Sequence, residues 1–296
     1  MIDACDTTRG QPEAMVPITS IADDDSAWYL YGITWRGTGD APKRVALPGM
    51  DGAEPVHRLT CGDLAAIVRR VSRAEFEPDT LQARLADAAW LEAAVRGHNQ
   101  VIAAIHQEQA ILPAKFGSVY ASVEDLSGAL EEVQDSLIAQ LRSVTGCDEW
   151  GLRVYADRQA LQRHVAAEAP TMQQLQQEIA AARPGRAYFL QRKLADELAA
   201  ATEQAIADLA SAAYAHLIRW AVAGRVNPPQ PPAGDNEVGI LRADFLVRHE
   251  AQDTFVAAVG TLGEARQELR CEYSGPWPPY SFAMLDERTG DGQGHS

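Results

Sequence analysis

Residues 187–223 contain neither proline nor glycine and are dominated by Ala, Leu, Gln, Glu, Lys and Arg, which lose little rotamer freedom in a helix. The stretch predicts one continuous helix, roughly 55 Å long at about 1.5 Å per residue, longer than an ordinary domain helix. No single compact core hides such an element. Its apolar residues recur at spacings of three and four: Leu190, Leu194, Leu198, Ala201, Ala205, Leu209, Ala213, Leu217 and Trp220. That is a stripe facing a partner. Alanine at so many seam positions lets a second backbone approach closely, as in a helical hairpin or an intermolecular helix pair. Gly185 and Gly224 punctuate the two ends.

With 296 residues around such a rod, the chain has room for two domains. The expected division is an N-terminal domain over residues 27–157 and a C-terminal α+β domain over 158–286 that contains the long helix. A disordered acidic extension over 1–26 and a polar tail over 287–296 flank them. The formal charge of −15 is uneven. Residues 1–157 hold 13 Lys+Arg against 24 Asp+Glu, and residues 158–296 hold 13 against 17. An acidic surface repels phosphate backbones, so nucleic acid is not an expected partner. No apolar run reaches the roughly 20 residues that span a bilayer, and the first residues are acidic where a secretory signal is basic and then apolar. A cytoplasmic protein without a membrane partner is the expectation. Cys5, Cys61, Cys147 and Cys271 lie far apart with no C-x-x-C pair, which reads as isolated reduced thiols.

Along the chain, residues 28–35 (WYLYGITW) are aromatic and β-branched and predict a buried strand. A Gly/Pro-rich loop over 36–55 follows. Residues 56–61 and 64–71 then predict a hairpin turned at Gly62 and Asp63. Residues 80–109 predict one or two amphipathic helices with Gly97 as a break, and His98 and His106 are ordinary helix histidines. Residues 111–122 (ILPAKFGSVYAS) predict a strand, 124–144 a helix and 150–156 a further strand. The order β, β, β, α, β, α, β is that of a small ferredoxin-like α/β sandwich with both helices on one face. Beyond it come short helices over 159–168 and 171–182, then the long helix. A stiff proline-rich connector over 227–235, a strand over 238–249, a helix over 252–270 and extended chain over 269–274 and 280–285 complete the pattern.

No G-x-S-x-G, H-E-x-x-H, P-loop or Gly-rich dinucleotide turn is present. Neither a catalytic acid–base pair nor a cofactor is nominated, and a protein acting through its surfaces is expected. The alternative is an enzyme on a ferredoxin-like scaffold with an unrecognised small-molecule site.

Five segments carry a more specific signal: residues 29–34 (YLYGIT), 112–120 (LPAKFGSVY), 185–194 (GRAYFLQRKL), 245–247 (FLV) and 275–282 (GPWPPYSF). In this order they resemble the gas vesicle accessory proteins of the GvpL/GvpF family, over about residues 28–285. The resemblance implies an N-terminal ferredoxin-like domain and a C-terminal α+β domain with a long helix. It implies a minor, non-enzymatic component that engages the small apolar shell protein and limits its aggregation during nucleation. The expected partners are the shell protein and other gas vesicle accessory proteins, and the expected location is the gas vesicle. An acidic cover would keep an apolar subunit dispersed. Residues 1–26 depart from the shared pattern, as do Arg242 and Asp244, where more neutral residues are expected beside FLV.

Two clusters are candidates for partner contact or for sealing the core: Lys115, Phe116 and Tyr120 in the first half, and Trp277, Pro278, Pro279, Tyr280 and Phe282 in the second. Lys115, a lone cation among apolar neighbours, fits either a carboxylate or solvent. The prolines stiffen their loop, and the aromatic rings suit both roles.

Overall fold

The apolar run at the start forms β1 (Ser26–Trp35), the strand around which the first half is built. A computed structural model of the chain describes residues 25–37, 55–228, 234, 236–266 and 268–283. The expected extension up to residue 24, most of the 36–55 loop, much of the proline-rich connector and the tail over 287–296 lie outside the described residues.

β2 (Val56–Cys61) and β3 (Leu64–Ser72) make the expected hairpin, with Gly62 at φ +59° in its two-residue turn. Together with β4 (Ile111–Pro113) they form an antiparallel sheet of order β2-β3-β1-β4, and β5 (Val119–Tyr120) also pairs with β1. Gly32 marks a register shift in β1, and a Cβ there would sit 2.6 Å from the Leu112 carbonyl oxygen. Only a residue without a side chain lets β4 approach that closely.

Because β1 is apolar on both faces, both are covered. On one side α2 (Ala88–Glu108) sets Val101, Ile102 and Ile105 against Tyr29, Tyr31 and Ile67. On the other side α3 (Val123–Glu132) and α4 (Gln134–Val144) set Leu126, Leu130, Leu137 and Leu141 against Leu30, Ile33 and Val68. The helices thus flank the sheet, correcting the expectation that they share one face. Their boundaries also differ from the sequence reading. α1 (Pro78–Leu85) is separated from α2 by Asp87, whose carboxylate caps α2 by accepting from the N–H groups of Ala89 and Trp90. Gly97 lies buried inside α2 instead of breaking it. The segment 124–144 is two helices divided at Val133.

The strand expected over 150–156 is β6 (Cys147–Asp157), and it does not belong to the first sheet. It is an inner strand of a second antiparallel sheet, of order β7-β8-β6-β9, with β7 (Ala223–Asn227), β8 (Glu237–Arg248) and β9 (Leu269–Trp277). Divided by sheets, the chain parts before Cys147 and not after Asp157. Both neighbours of β6 arrive some 80 or more residues later, so local pattern carries no trace of this pairing.

One face of the second sheet, with Leu152, Val154, Ala243, Phe245 and Val247, packs on α5 (Arg158–Glu168), the long α7 (Pro184–Leu217) and α8 (Gln252–Ala265). α7 has 34 residues and starts earlier than expected, with Pro184 in its first turn, where the missing N–H costs nothing. It also ends earlier. After Leu217 the chain tightens into a 3-10 turn over Ile218–Trp220, and the Val222 N–H donates to the Leu246 carbonyl at 2.7 Å, drawing residues 222–227 into the sheet. Helix propensity over 218–223 loses to strand pairing. The apolar stripe finds an intramolecular partner: its C-terminal part (Ala205, Leu209, Ala213, Leu217) packs on the second sheet, while α5 and α6 (Pro170–Ala181) lie against α7. The two halves share a core, since Cys147, Leu246 and Ala283 belong to the cluster built around Leu30 and Leu112.

Candidate partner interface

The first candidate cluster sits where the chain leaves β4. Residues 111–122 are not one strand: β4 and β5 flank a turn in which Ser118 donates to the Lys115 carbonyl from both its backbone N–H (3.2 Å) and Oγ (2.9 Å). A buried network fixes this turn from beneath. The Tyr29 hydroxyl donates to His98 Nδ1 at 2.8 Å and accepts from the Gly117 N–H at 3.2 Å, while His98 Nε2 faces the Ala114 carbonyl at 3.2 Å. Burial lowers the His98 pKa to about 4, against a smaller opposing effect of the Ala114 carbonyl, so the ring is neutral and Nε2 carries the donated proton. His98 is thus a helix histidine that fastens the core. Phe116 packs edge-on to Tyr29 and His98, with ring centroids 6.3 and 5.7 Å away. Tyr120 packs on the opposite core, and Lys115 is half-buried.

His106, eight residues on, fastens the two halves. Its Nε2 lies 2.6 Å from Asp148 Oδ1, His249 Nε2 lies 3.2 Å from the same oxygen, and Gln252 donates to Oδ2. Burial acts to raise the Asp148 carboxyl, but the His106 bond, the His249 charge and the Gln252 bond together hold it below the usual carboxylate range.

The second cluster closes the seam between the sheets. Pro278 and Pro279 are buried, Tyr280 packs against the cluster that contains Tyr29 and Ile105, and Phe282 against the cluster that contains Leu30 and Ala283. The Tyr280 hydroxyl donates to Asn99 Oδ1 at 3.1 Å, and burial pushes its pKa up to about 12. Residues 280–282 form a turn where extended chain over 280–285 is expected, and residues 284 and 285 lie outside the described residues. Glu149, only 7% exposed, receives the Ser281 N–H at 2.6 Å and lies 2.8 Å from Ser281 Oγ. Burial pushes its carboxyl up, the Ser281 bonds pull it down less strongly, and Asp244 adds to the rise.

Trp277 alone of these five points outward, at 50% exposure. With Val95, Asn99 and Ala103 of α2 it lines an open, mainly apolar groove of about 450 Å³. A second exposed aromatic site, not among the candidates although it lies in the 185–194 segment, is the pair Tyr188 and Phe189, 62% and 72% exposed on the first turns of α7 with ring centroids 5.9 Å apart. Their signal was present, because both fall off the apolar stripe that runs through Leu190 and Leu194. Trp220, placed on that stripe, is 40% exposed because the helix has ended before it. Among the described residues no group of three or more His, Cys, Asp or Glu is placed to hold a metal ion, and no helix is long and apolar enough to cross a membrane.

Comparison with known proteins agrees with this architecture. Residues 27–284 match the family model described as gas vesicle synthesis protein GvpL/GvpF. Gas vesicle protein L of Streptomyces sp. (strain CB03234) is 33% identical over 267 residues, covering 89% of this chain and 95% of that protein. Gas vesicle protein F of the same strain is 28% identical over 254 residues, covering 86% and 98%. The crystal structures of GvpF from Microcystis aeruginosa and from Anabaena sp. PCC7120 share the fold, with TM-scores of 0.59 and 0.60 at 20% and 18% identity, each covering 88% of this chain and 99% of the other. The chain belongs to the GvpL/GvpF family of gas vesicle synthesis proteins.

Proposed function

We propose that this chain serves gas vesicle formation by binding the small apolar shell protein and holding it dispersed during nucleation, as a minor component acting by contact and not by catalysis. The observation that carries the reading is Trp277, half-exposed at the mouth of a mainly apolar groove in a chain of net charge −15. An apolar segment laid into the groove removes greasy surface from water on both molecules, and the acidic remainder keeps the complex in solution. Tyr188 and Phe189 offer a second apolar contact at the far end of α7. Of the other candidates, Pro278, Pro279, Tyr280 and Phe282 act as the support that holds Trp277 in place, and Phe116 and Tyr120 as core. We also read the first half as a ferredoxin-like variant, on its antiparallel order β2-β3-β1-β4. The working location is the gas vesicle within the cytoplasm, with other accessory proteins as further partners.

The test is to dilute unfolded shell protein into buffer with and without an equimolar amount of this chain and to measure the fraction left in solution after centrifugation. A raised soluble fraction, reduced by Trp277→Ala, supports the proposal. Precipitation unchanged by the wild-type chain overturns it.

A further inference from the structure

Beneath the C-terminal loop, one hydroxyl serves two acids. Ser281 Oγ lies 2.8 Å from Glu149 Oε1 and 3.1 Å from Asp244 Oδ2. A hydroxyl carries a single hydrogen. With both carboxyls ionised, that hydrogen satisfies one acid and leaves the other contact as two lone pairs facing each other. The neighbouring donors are engaged at other atoms. The Ser281 N–H goes to Glu149 Oε2 at 2.6 Å, and Asn227 Nδ2 donates to Asp244 Oδ2 at 2.6 Å. Arg225, opposite Asp244 in register, is exposed and donates to the Ser281 carbonyl at 3.3 Å, and its charge is the smallest of the influences on Glu149. Tyr280 is the titratable side chain of the loop, and the Glu149 charge opposes its ionisation. Asp148, next to Glu149 on β6, is bonded to His106, His249 and Gln252, while Arg153, Arg242 and Glu272 line a cleft with Asp244. Asp244 is also one of the two positions where this chain departs from the neutral residues expected beside FLV.

We infer that Glu149, Ser281 and Asp244 form a proton-operated latch on the C-terminal loop, closed when Glu149 carries a proton and loosened when it gives the proton up. In the closed form the Glu149 carboxyl O–H donates to Ser281 Oγ, the Ser281 O–H donates to Asp244 Oδ2, and Glu149 Oε2 still accepts the Ser281 N–H. Every contact then has its hydrogen. In the open form two like charges meet at one hydroxyl, and Glu149, 7% exposed, has little water to solvate its charge. Burial is the main cause that pushes the Glu149 carboxyl up, the Ser281 bonds oppose it, and Asp244 adds to the rise. The folded chain therefore keeps this proton at pH values where the unfolded chain, with an ordinary value of 4.5, has lost it. Stability from this source is complete below the ordinary value and is lost as pH rises through the folded one, opposite in sign to His98. Trp277 stands opposite Glu149 in register, so a loosened loop reaches the groove. That consequence rests on the shell-protein reading, and the latch itself does not.

The experiment compares the full chain with its Glu149→Gln and Asp244→Asn variants by urea unfolding between about pH 5 and about pH 8. Glutamine reproduces the protonated acid, donating to Ser281 Oγ and accepting from the Ser281 N–H without a charge. Subtracting the wild-type midpoint from each variant's cancels His98, which all three chains share. The difference is expected to grow in favour of Glu149→Gln as pH rises, and Asp244→Asn to move in the same direction because it removes the like charge. Hydrogen exchange of the backbone amides over 280–283, compared between chains at one pH, should be faster in the wild type than in Glu149→Gln at about pH 8 and alike at about pH 5. Midpoint differences that stay constant with pH, or that turn against the variants as pH rises, overturn the latch. So does equal exchange over 280–283 at the higher pH, because the proton would then act elsewhere in the fold. Where Glu149→Gln fails to fold, Asp244→Asn carries both readouts with the same expected signs.

Discussion

The Ser281 backbone N–H donates to the buried Glu149 carboxylate at 2.6 Å across 132 positions of sequence. That bond fixes the C-terminal loop to an inner strand of the second sheet. Around it the loop lays Tyr280 on one core of the first half and Phe282 on the other, so the loop is the stitch that joins the two sheets.

Ser281→Ala keeps the backbone bond and removes the hydroxyl near Glu149 and Asp244. A buried carboxylate left short of a donor costs about 1–3 kcal/mol. The urea midpoint should fall accordingly, with no change in helix content by circular dichroism.

Below neutral pH His98 should govern much of the loss of stability. Its folded pKa, about 4, lies under the ordinary value of 6.5, so between those values the unfolded chain binds the extra proton. The contribution is complete above pH 6.5, declines as pH falls toward 4 and is constant below that. It is worth about 3 kcal/mol. Urea unfolding measured across this window should show the decline, and His98→Leu should flatten it while lowering stability at pH 7.

Gly32→Ala should destabilise by about 1–3 kcal/mol, because the new methyl meets the Leu112 carbonyl oxygen at 2.6 Å. Gly128→Ala, in the middle of α3 with open space around it, should stabilise by about 0.5–1 kcal/mol through helix propensity. Thermal unfolding of the two variants checks the opposite signs.

Trp277→Ala should separate partner contact from folding. A half-exposed ring at the end of β9 contributes little to the core, so the unfolding midpoint should move by less than about 1 kcal/mol. Tyr280→Ala, which empties a packed site and breaks the Asn99 bond, should cost about 2–4 kcal/mol. A Trp277 variant as unstable as the Tyr280 variant would place that ring in the core.

Much of the fold was legible where local chemistry decides it. The 28–35 run, the hairpin at Gly62 and the body of the long helix follow from β-branching, turn chemistry and the absence of breakers. What stayed hidden depends on partners distant in sequence. β6 looked like the last strand of the first half because its neighbours, β8 and β9, come more than 80 residues later. The helix end at Leu217 is set by the pull of β8 on Val222, which outweighs propensity. Of the candidate residues, those at 277–282 come from a segment that carries the family resemblance, and its sequence does not say which ring faces outward. That follows from the burial of Pro278 and Pro279, which leaves Trp277 on the rim.

Since β6 is spoken for by strands from the far end of the chain, the position after Asp157 is a poor place to cut. A fragment stopping after Asp157 would carry a strand stripped of both neighbours, and the complementary piece would hold a sheet missing one of its inner strands. Reconstituting function from such pieces requires them to reassemble first, so dissecting the molecule by truncation tests complementation before it tests binding.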